Sequence, residues 1–449
     1  MREPVLIREL VAGLPIPVDP GTLVPALGEF VVALPSGLAG ARLGFERREL
    51  DGSRTPLGDV ALDAVPERAP SPFVGTEVAR IRGTAAPADA LDIAILGDGY
   101  RKDDLPLFDA QAERVADELL RQPPYADYAR RIVVHRVDLV SRERGASYDC
   151  ARDEVIEGCA DRARDTALGS TFPLRVATML GLPVSDRAVM QRSPWSVAEA
   201  AALVPYDAII VLVATAKSGG FGLYQASVPA FQDGMERTAV HELGHAFAKL
   251  GDEYAAPGDP CQDVLLTPDF PNVTARVTDP ARVPWRAWLT PGVPLPTPRR
   301  GAWSAAIGLF AGAGGGCVDH FRPAAECLMH DSDAPLCAVC QEQTVKRLYE
   351  TVDVLRGVRL ERGVLRADLV RQAEAIEPAE PIEGDWLVDG RRVASAATAT
   401  GAPVPLFVAQ VAGPGRHVVS LVARPLTARV RSAPEGMDER VDVTVEVGR

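Results

Sequence analysis

The chain has 449 residues, nearly half of them apolar, with 61 acidic against 48 basic side chains and a formal charge of −13. That length exceeds what one hydrophobic core accommodates and implies two or three domains. The negative balance leaves no electrostatic footprint for nucleic acid and no basic patch for an anionic membrane, and no apolar run is long enough to span a bilayer.

Residues 1–88 read as an N-terminal β-rich domain: short alternating runs at 29–34 and 41–47 are punctuated by proline and glycine, and 66–72 and 83–87 have linker composition. The start of the chain lacks the apolar core of a secretory signal. From Ala90 strands and helices alternate. A buried strand is expected at 92–96, a helix at 105–121, a strand at 131–140 and a fully apolar strand at 208–214, of the kind found inside parallel sheets. Residues 89–356 are therefore expected to be an α/β (α+β) domain with a central mixed sheet backed by a helix that carries the motif described next. Gly219, Gly220 and Phe221 lie in a glycine-rich stretch that suits either an ordinary hairpin or an edge strand to which an extended peptide adds itself.

The next helix, expected at about 233–250, carries His241-Glu242-Leu243-Gly244-His245. Histidines four residues apart lie one above the other on one helix face, so both rings reach one metal, and Glu242 points beside that face, where it can take a proton from an attacking water. Such a pair suits zinc, Zn2+, which in a hydrolase takes three protein ligands and keeps one open position. Two histidines merely packed on a helix are the bland alternative. The next carboxylates are Asp252 and Glu253. On an unbroken helix Asp252 would lie about 10 Å along the axis from His245, so Gly251 is expected to end the helix in a left-handed turn and bring the chain back. Asp252 is favoured as third ligand; Glu253, in a gluzincin-like arrangement, stays open. Tyr254 is a candidate donor to a developing oxyanion, with simple packing an equal reading.

Residues 255–325 are rich in proline and include a glycine run at 312–316, which suggests long loops shaping a cleft; lacking the P-loop lysine and serine, that run does not cradle phosphate. Met329 is expected in a tight turn beneath the metal, as a soft apolar floor, with core filling the alternative. His320 and His330 are extra imidazoles that suit a spare ligand or substrate contact, with a structural or solvent-facing place the favoured reading. Seven cysteines (Cys150, Cys159, Cys261, Cys317, Cys327, Cys337 and Cys340) sit in this region. Disulfides are expected, Cys150–Cys159 and a set around Met329, and they argue for an exported or extracellular protein, while the amino terminus argues the other way. Alternatively, Cys337 and Cys340 with Cys317 or Cys327 would hold a structural metal. A helix at 335–355 leads out of this domain. Residues 357–449 then carry short alternating runs that indicate a C-terminal β-sandwich, immunoglobulin-like but without a cysteine pair.

HELGHAFAKLGDEY, followed by CLMHDSDAPLC, resembles the M64 peptidases, or igalysins, placed among the metzincin zinc endopeptidases; the resemblance also covers 91–100, 141–146 and 206–213 and spans roughly 90–350. It implies that His241 and His245 bind zinc, that Glu242 is the general base and that Met329 is the Met-turn methionine. Metzincins usually carry glycine seven positions after the first histidine and the third ligand three positions later. Here those positions are Ala248 and Gly251, which leaves the third ligand open between Asp252 and Glu253. The expected function is a zinc metalloendopeptidase acting on protein or peptide substrates, as a monomer. The rival is a non-catalytic binding or adhesion protein with a structural or vestigial zinc, against which the intact glutamate speaks.

Overall fold

The computed structural model describes residues 72–149, 163–173, 187–254, 270–277, 279–314, 317–330, 333–369, 380–396, 405–434 and 436–448, together with the strands Pro17–Asp19, Thr22–Leu23, Arg42–Arg48 and Arg54–Ala61. The strand expected at 41–47 is present as Arg42–Arg48, paired antiparallel with Arg54–Ala61. The run at 29–34 lies outside the described residues.

The centre of the molecule is a six-stranded sheet of β1 (Val78–Arg82), β2 (Leu91–Asp98), β3 (Ile132–Val137), β4 (Ala208–Val213), β5 (Phe221–Gly222) and β6 (Ala226–Pro229), in the order β5-β6-β4-β2-β3-β1. The inner four are parallel and the two outer strands antiparallel, the mixed sheet expected from the alternation of strands and helices. β2 and β4 are buried along their whole length because both faces are covered. Alternate residues serve opposite layers. Ile93, Ile95, Ile210 and Leu212 share a core with Phe108, Val115 and Leu119 of α1 (Leu105–Arg121), whereas Leu96, Ile209 and Val211 meet Val197 and Ala200 of α2 (Pro194–Ala201). Residues 78–82, expected to precede the catalytic domain, are the edge strand of its sheet. Gly83, read as linker, packs so tightly on β3 that a Cβ would lie 2.2 Å from the Ile132 carbonyl.

The segments at 91–100 and 141–146 meet behind this sheet. Asp98 ends β2 fully buried and accepts the backbone N–H groups of Leu168 and Ser170, both at 2.9 Å. Gly99, at φ 75°, is held to Gly145 by an N–H to carbonyl bond of 3.1 Å, and no side chain fits between them.

Helix α3 (Met235–Ala246) packs on the β4–β6 side of the sheet through Ala239, Val240 and Leu243. Three short strands, β7 (Thr274–Ala275), β8 (Phe310–Ala313) and β9 (Cys317–Arg322), follow in the order β7-β9-β8, and α4 (Ala338–Thr351) leads out. Beyond it lie two antiparallel sheets. One is β10 (Leu355–Glu361), β11 (Val364–Leu369) and β14 (Leu406–Phe407); the other joins β12 (Ile382–Val388), β13 (Arg391–Ala396), β15 (Gly415–Pro425) and β16 (Glu439–Val447) in the order β13-β12-β15-β16. Their buried residues, Trp386 and Leu421 among them, continue the core of the central sheet rather than forming a separate one. Tyr128 donates to Glu380 across 2.7 Å, and the Val354 and Leu355 amides donate to Glu439, which fastens the two regions together. Among the described residues no helix is long and apolar enough to cross a membrane.

Candidate metal centre

Helix α3 presents His241 and His245 one turn apart, as their spacing requires, with the ring planes nearly perpendicular. Each ring is oriented from behind. His241 Nδ1–H donates to the Leu328 carbonyl at 2.9 Å and His245 Nδ1–H to the Leu250 carbonyl at 2.6 Å, which leaves both Nε2 atoms as acceptors facing one another at 3.1 Å. Asp252 Oδ1 completes a triangle, 3.3 Å from His241 Nε2 and 3.2 Å from His245 Nε2. Although buried, that oxygen has no aligned hydrogen-bond partner. Tetrahedral zinc with donors at about 2.0–2.1 Å has donor–donor edges of about 3.3 Å, and the observed triangle matches that spacing. The electrostatics agree. Burial works against charge on either imidazole, but Asp252 raises both, His245 to about 9, and the imidazoles hold Asp252 well below the usual carboxylate range against its own burial. The three groups together favour a positive charge between them.

The chain reaches Asp252 by a route other than the expected one. α3 ends at Ala246, not near 250, and the left-handed residue is Lys249 at φ 56°, not Gly251. In this conformation the Lys249 ammonium reaches the Ala246 carbonyl at 2.9 Å. Gly251 is needed for a different reason: a Cβ there would lie 2.9 Å from the Phe270 ring. Both of its backbone groups are taken by the fully buried Asn272 side chain, at 2.8 and 2.9 Å.

Glu242 is buried beside the triad, and burial pushes its carboxyl above the usual range. Two glycines of the expected edge strand touch it. A Cβ on Gly220 would lie 2.2 Å from Glu242 Oε1, and one on Gly222 would lie 2.3 Å from the Glu242 carbonyl. Gln232 clamps Gly219 from both sides, accepting its N–H at 2.9 Å and donating to its carbonyl at 2.8 Å. Phe221 and Gly222 pair with Ser227 and Ala226 as the outermost strand of the sheet. Tyr254 is partly buried close by; burial first, then the Asp252 charge, raises its phenol and keeps it a donor. Met329 is fully buried under α3, where a Cβ on Gly244 would lie 2.8 Å from its sulfur, so the glycine of the HELGH motif is what admits the thioether. A turn closed by His330 N–H to the Cys327 carbonyl, 2.9 Å, carries Met329.

Glu253, the alternative third ligand, points away from the histidines. It is fully buried with Cys327, Cys337 and Cys340. His320, buried beside Asp319, and His330 join neither donor group. The disulfides expected around Met329 are absent among the described residues: Cys327, Cys337 and Cys340 are free thiols, which removes them from the argument for export. Cys150, Cys159 and Cys261 lie outside the described residues, as does the side chain of Cys317.

A family model described as IgA Peptidase M64 matches residues 79–304, half of the chain. The chain belongs to the M64 peptidase family. A metallopeptidase-type function and protein substrates follow from that membership. The matched span of the M64 peptidase begins within β1, includes the HELGH helix and ends before Met329 and the three thiols. No curated protein matches the chain. A solved structure of fibronectin(III)-like modules of Clostridium thermocellum CbhA is similar to 20% of this chain and 97% of its own, at 17% identity and a TM-score of 0.13. Gln232, Asn272 and the carbonyls of Leu250 and Leu328 escaped the sequence reading, because single polar residues in loops and backbone oxygens carry no spacing signal.

Proposed function

We propose that this M64 peptidase is a zinc-dependent endopeptidase of metzincin type, in which His241, His245 and Asp252 hold the metal and Glu242 is the general base. The observation that carries this reading is the convergence of two Nε2 atoms and Asp252 Oδ1, with both Nδ1 atoms already committed to carbonyls. Zinc bound there supplies Lewis acidity, making a water acidic enough to attack near neutral pH and polarising the scissile carbonyl. Glu242 takes the proton of the attacking water and delivers it to the leaving amine nitrogen. Tyr254, kept protonated, donates to the oxyanion that develops on the carbonyl. β5 is the outermost strand of its sheet, so an extended substrate adding to Gly219–Phe221 passes directly beside Glu242. Met329 serves as the Met-turn floor, and residues 357–449 as an immunoglobulin-like sandwich flanking the catalytic domain. Hydrolysis of casein should cease in a chelator and return when zinc is restored; cleavage that persists in the metal-free protein overturns the proposal.

A further inference from the structure

A second donor group lies on the other side of the Met329 turn. The sulfurs of Cys327, Cys337 and Cys340 and a carboxylate oxygen of Glu253 all lie within 4.8 Å of one another. Cys327, Cys340 and Glu253 are fully buried and Cys337 nearly so. Cys327 Sγ and Cys340 Sγ are 3.7 Å apart, and Cys340 Sγ is 3.0 Å from Glu253 Oε1. A disulfide holds its sulfurs at about 2.05 Å, whereas two thiolates on tetrahedral zinc, each about 2.3 Å from the metal, stand about 3.8 Å apart. The observed separation is the second of these.

The surroundings also suit a cation held by thiolates. Glu253 Oε2 is buried with no hydrogen-bond partner, while Oε1 accepts from Asn272 at 2.9 Å. Arg322, whose charge acts on Glu253, gives Nε and Nη1 to the carbonyls of Ala324, Ala311 and Gly312, keeps a buried Nη2 without a hydrogen-bond partner, and makes no hydrogen bond to the Glu253 carboxylate. Cys337 is the N-cap of α4 and Cys340 lies in its first turn, so the positive end of a 14-residue helix faces the sulfurs. The Cys337 N–H also donates to Cys327 Sγ at 3.2 Å. Three thiols and a carboxylate with an orphaned oxygen, all away from water, are an unfavourable set unless something positive joins them.

We propose that Cys327, Cys337, Cys340 and Glu253 bind a second zinc ion, structural in kind because four protein ligands leave no open position. Soft thiolates at tetrahedral spacing select zinc over magnesium or calcium. The site positions the catalytic centre from two directions. Glu253 adjoins Asp252, and Cys327 adjoins Leu328, whose carbonyl orients His241, and then Met329. Glu253 N–H donates to the Met329 carbonyl at 2.8 Å, tying the two strands of chain together.

Metal analysis of the full chain purified under reducing conditions tests this directly. The wild type should hold two zinc ions. His245→Ala should lose one and, reloaded with cobalt, should keep the near-ultraviolet thiolate-to-cobalt charge-transfer absorption of tetrahedral coordination. Cys337→Ser/Cys340→Ser should lose that absorption and lower the zinc affinity of the histidine site roughly 10–100-fold, as loss of an orienting shell does. Cobalt-loaded His245→Ala without the absorption, or a Cys327–Cys340 disulfide in non-reducing peptide mapping of the native protein, overturns the proposal. Neither outcome depends on whether the histidine site is catalytic, and the His245→Ala arm remains decisive if the double cysteine variant fails to fold.

Discussion

Asp252 and Glu253 are consecutive in the chain and face opposite donor groups: Asp252 Oδ1 stands 3.3 and 3.2 Å from the two imidazoles, while Glu253 Oε1 stands 3.0 Å from the Cys340 sulfur. The choice between them as third ligand is therefore a matter of side, not of reach. Asp252→Ala should leave one zinc fewer than the wild type and abolish proteolysis. Retention of the full complement, measured by mass spectrometry of the metals, would move the assignment elsewhere.

Glu242 sits beside the donors and makes none of the three edges of their triangle. Glu242→Gln should keep zinc content and thermal midpoint and lower kcat about a hundred- to ten-thousand-fold, the span usual for a lost general base. Substantial turnover in a preparation free of contaminating protease would remove Glu242 from the role.

Gly220 and Gly222 separate two consequences of crowding the same helix. A methyl at 220 meets the end of the Glu242 side chain, so Gly220→Ala should displace the base and reduce kcat at least tenfold with zinc content unchanged. At 222 it meets the Glu242 backbone, 2.3 Å away, and the His245 Cβ at 2.7 Å. Gly222→Ala should therefore destabilise the fold by about 1–3 kcal/mol, the usual cost of overpacking. Equal thermal midpoints for the two variants would count against this distinction.

How much of this could be read from the residues divides along periodicity. The buried strands follow from continuous apolar runs and the HELGH face from a period of 3.6, which survives into the fold because side-chain direction is a property of the backbone. The end of that helix did not follow. Gly251 was the obvious residue for a left-handed turn, yet Lys249 adopts it, and the glycine is required instead for its close contact with Phe270. The disulfides expected around Met329 do not form among Cys327, Cys337 and Cys340 for a related reason. Spacing along the chain shows that Cys337 and Cys340 are close, but not that α4 turns both toward Cys327 and a buried Glu253. Contacts between segments 80 residues or more apart leave no local pattern.

Asn272 illustrates the same limit and offers a test. Its amide holds Gly251 through both backbone groups and Glu253 through Oε1, all buried. Asn272→Ala leaves several polar groups without partners at about 1–3 kcal/mol each. The expected outcome is a sharply lowered thermal midpoint together with weaker zinc retention, since the backbone on which Asp252 and Glu253 are mounted loses its anchor. A variant with native stability would show that the amide is dispensable.

Asp207 predicts a pH dependence remote from catalysis. The residue is exposed, but desolvation of its carboxyl where it faces the Asp92 backbone, with the Asp92 charge adding to it, raises it toward about 7, although its Oδ2 accepts the Asp92 N–H at 2.8 Å. Asp92 itself faces His135, whose Nε2 is 2.6 Å from its Oδ1. Between the ordinary carboxyl range and pH 7 the folded chain keeps a proton on Asp207 that the unfolded chain has released. Stability from this group therefore falls as pH rises through that window and stays low above it. Asp207→Asn keeps the acceptor for Asp92 and removes the titration. Its thermal midpoint should exceed that of the wild type at pH 8 by a small margin, because solvent screens an exposed side chain, and the advantage should shrink as pH falls toward 4. A difference between the two proteins that does not change with pH would show that Asp207 is ionised throughout.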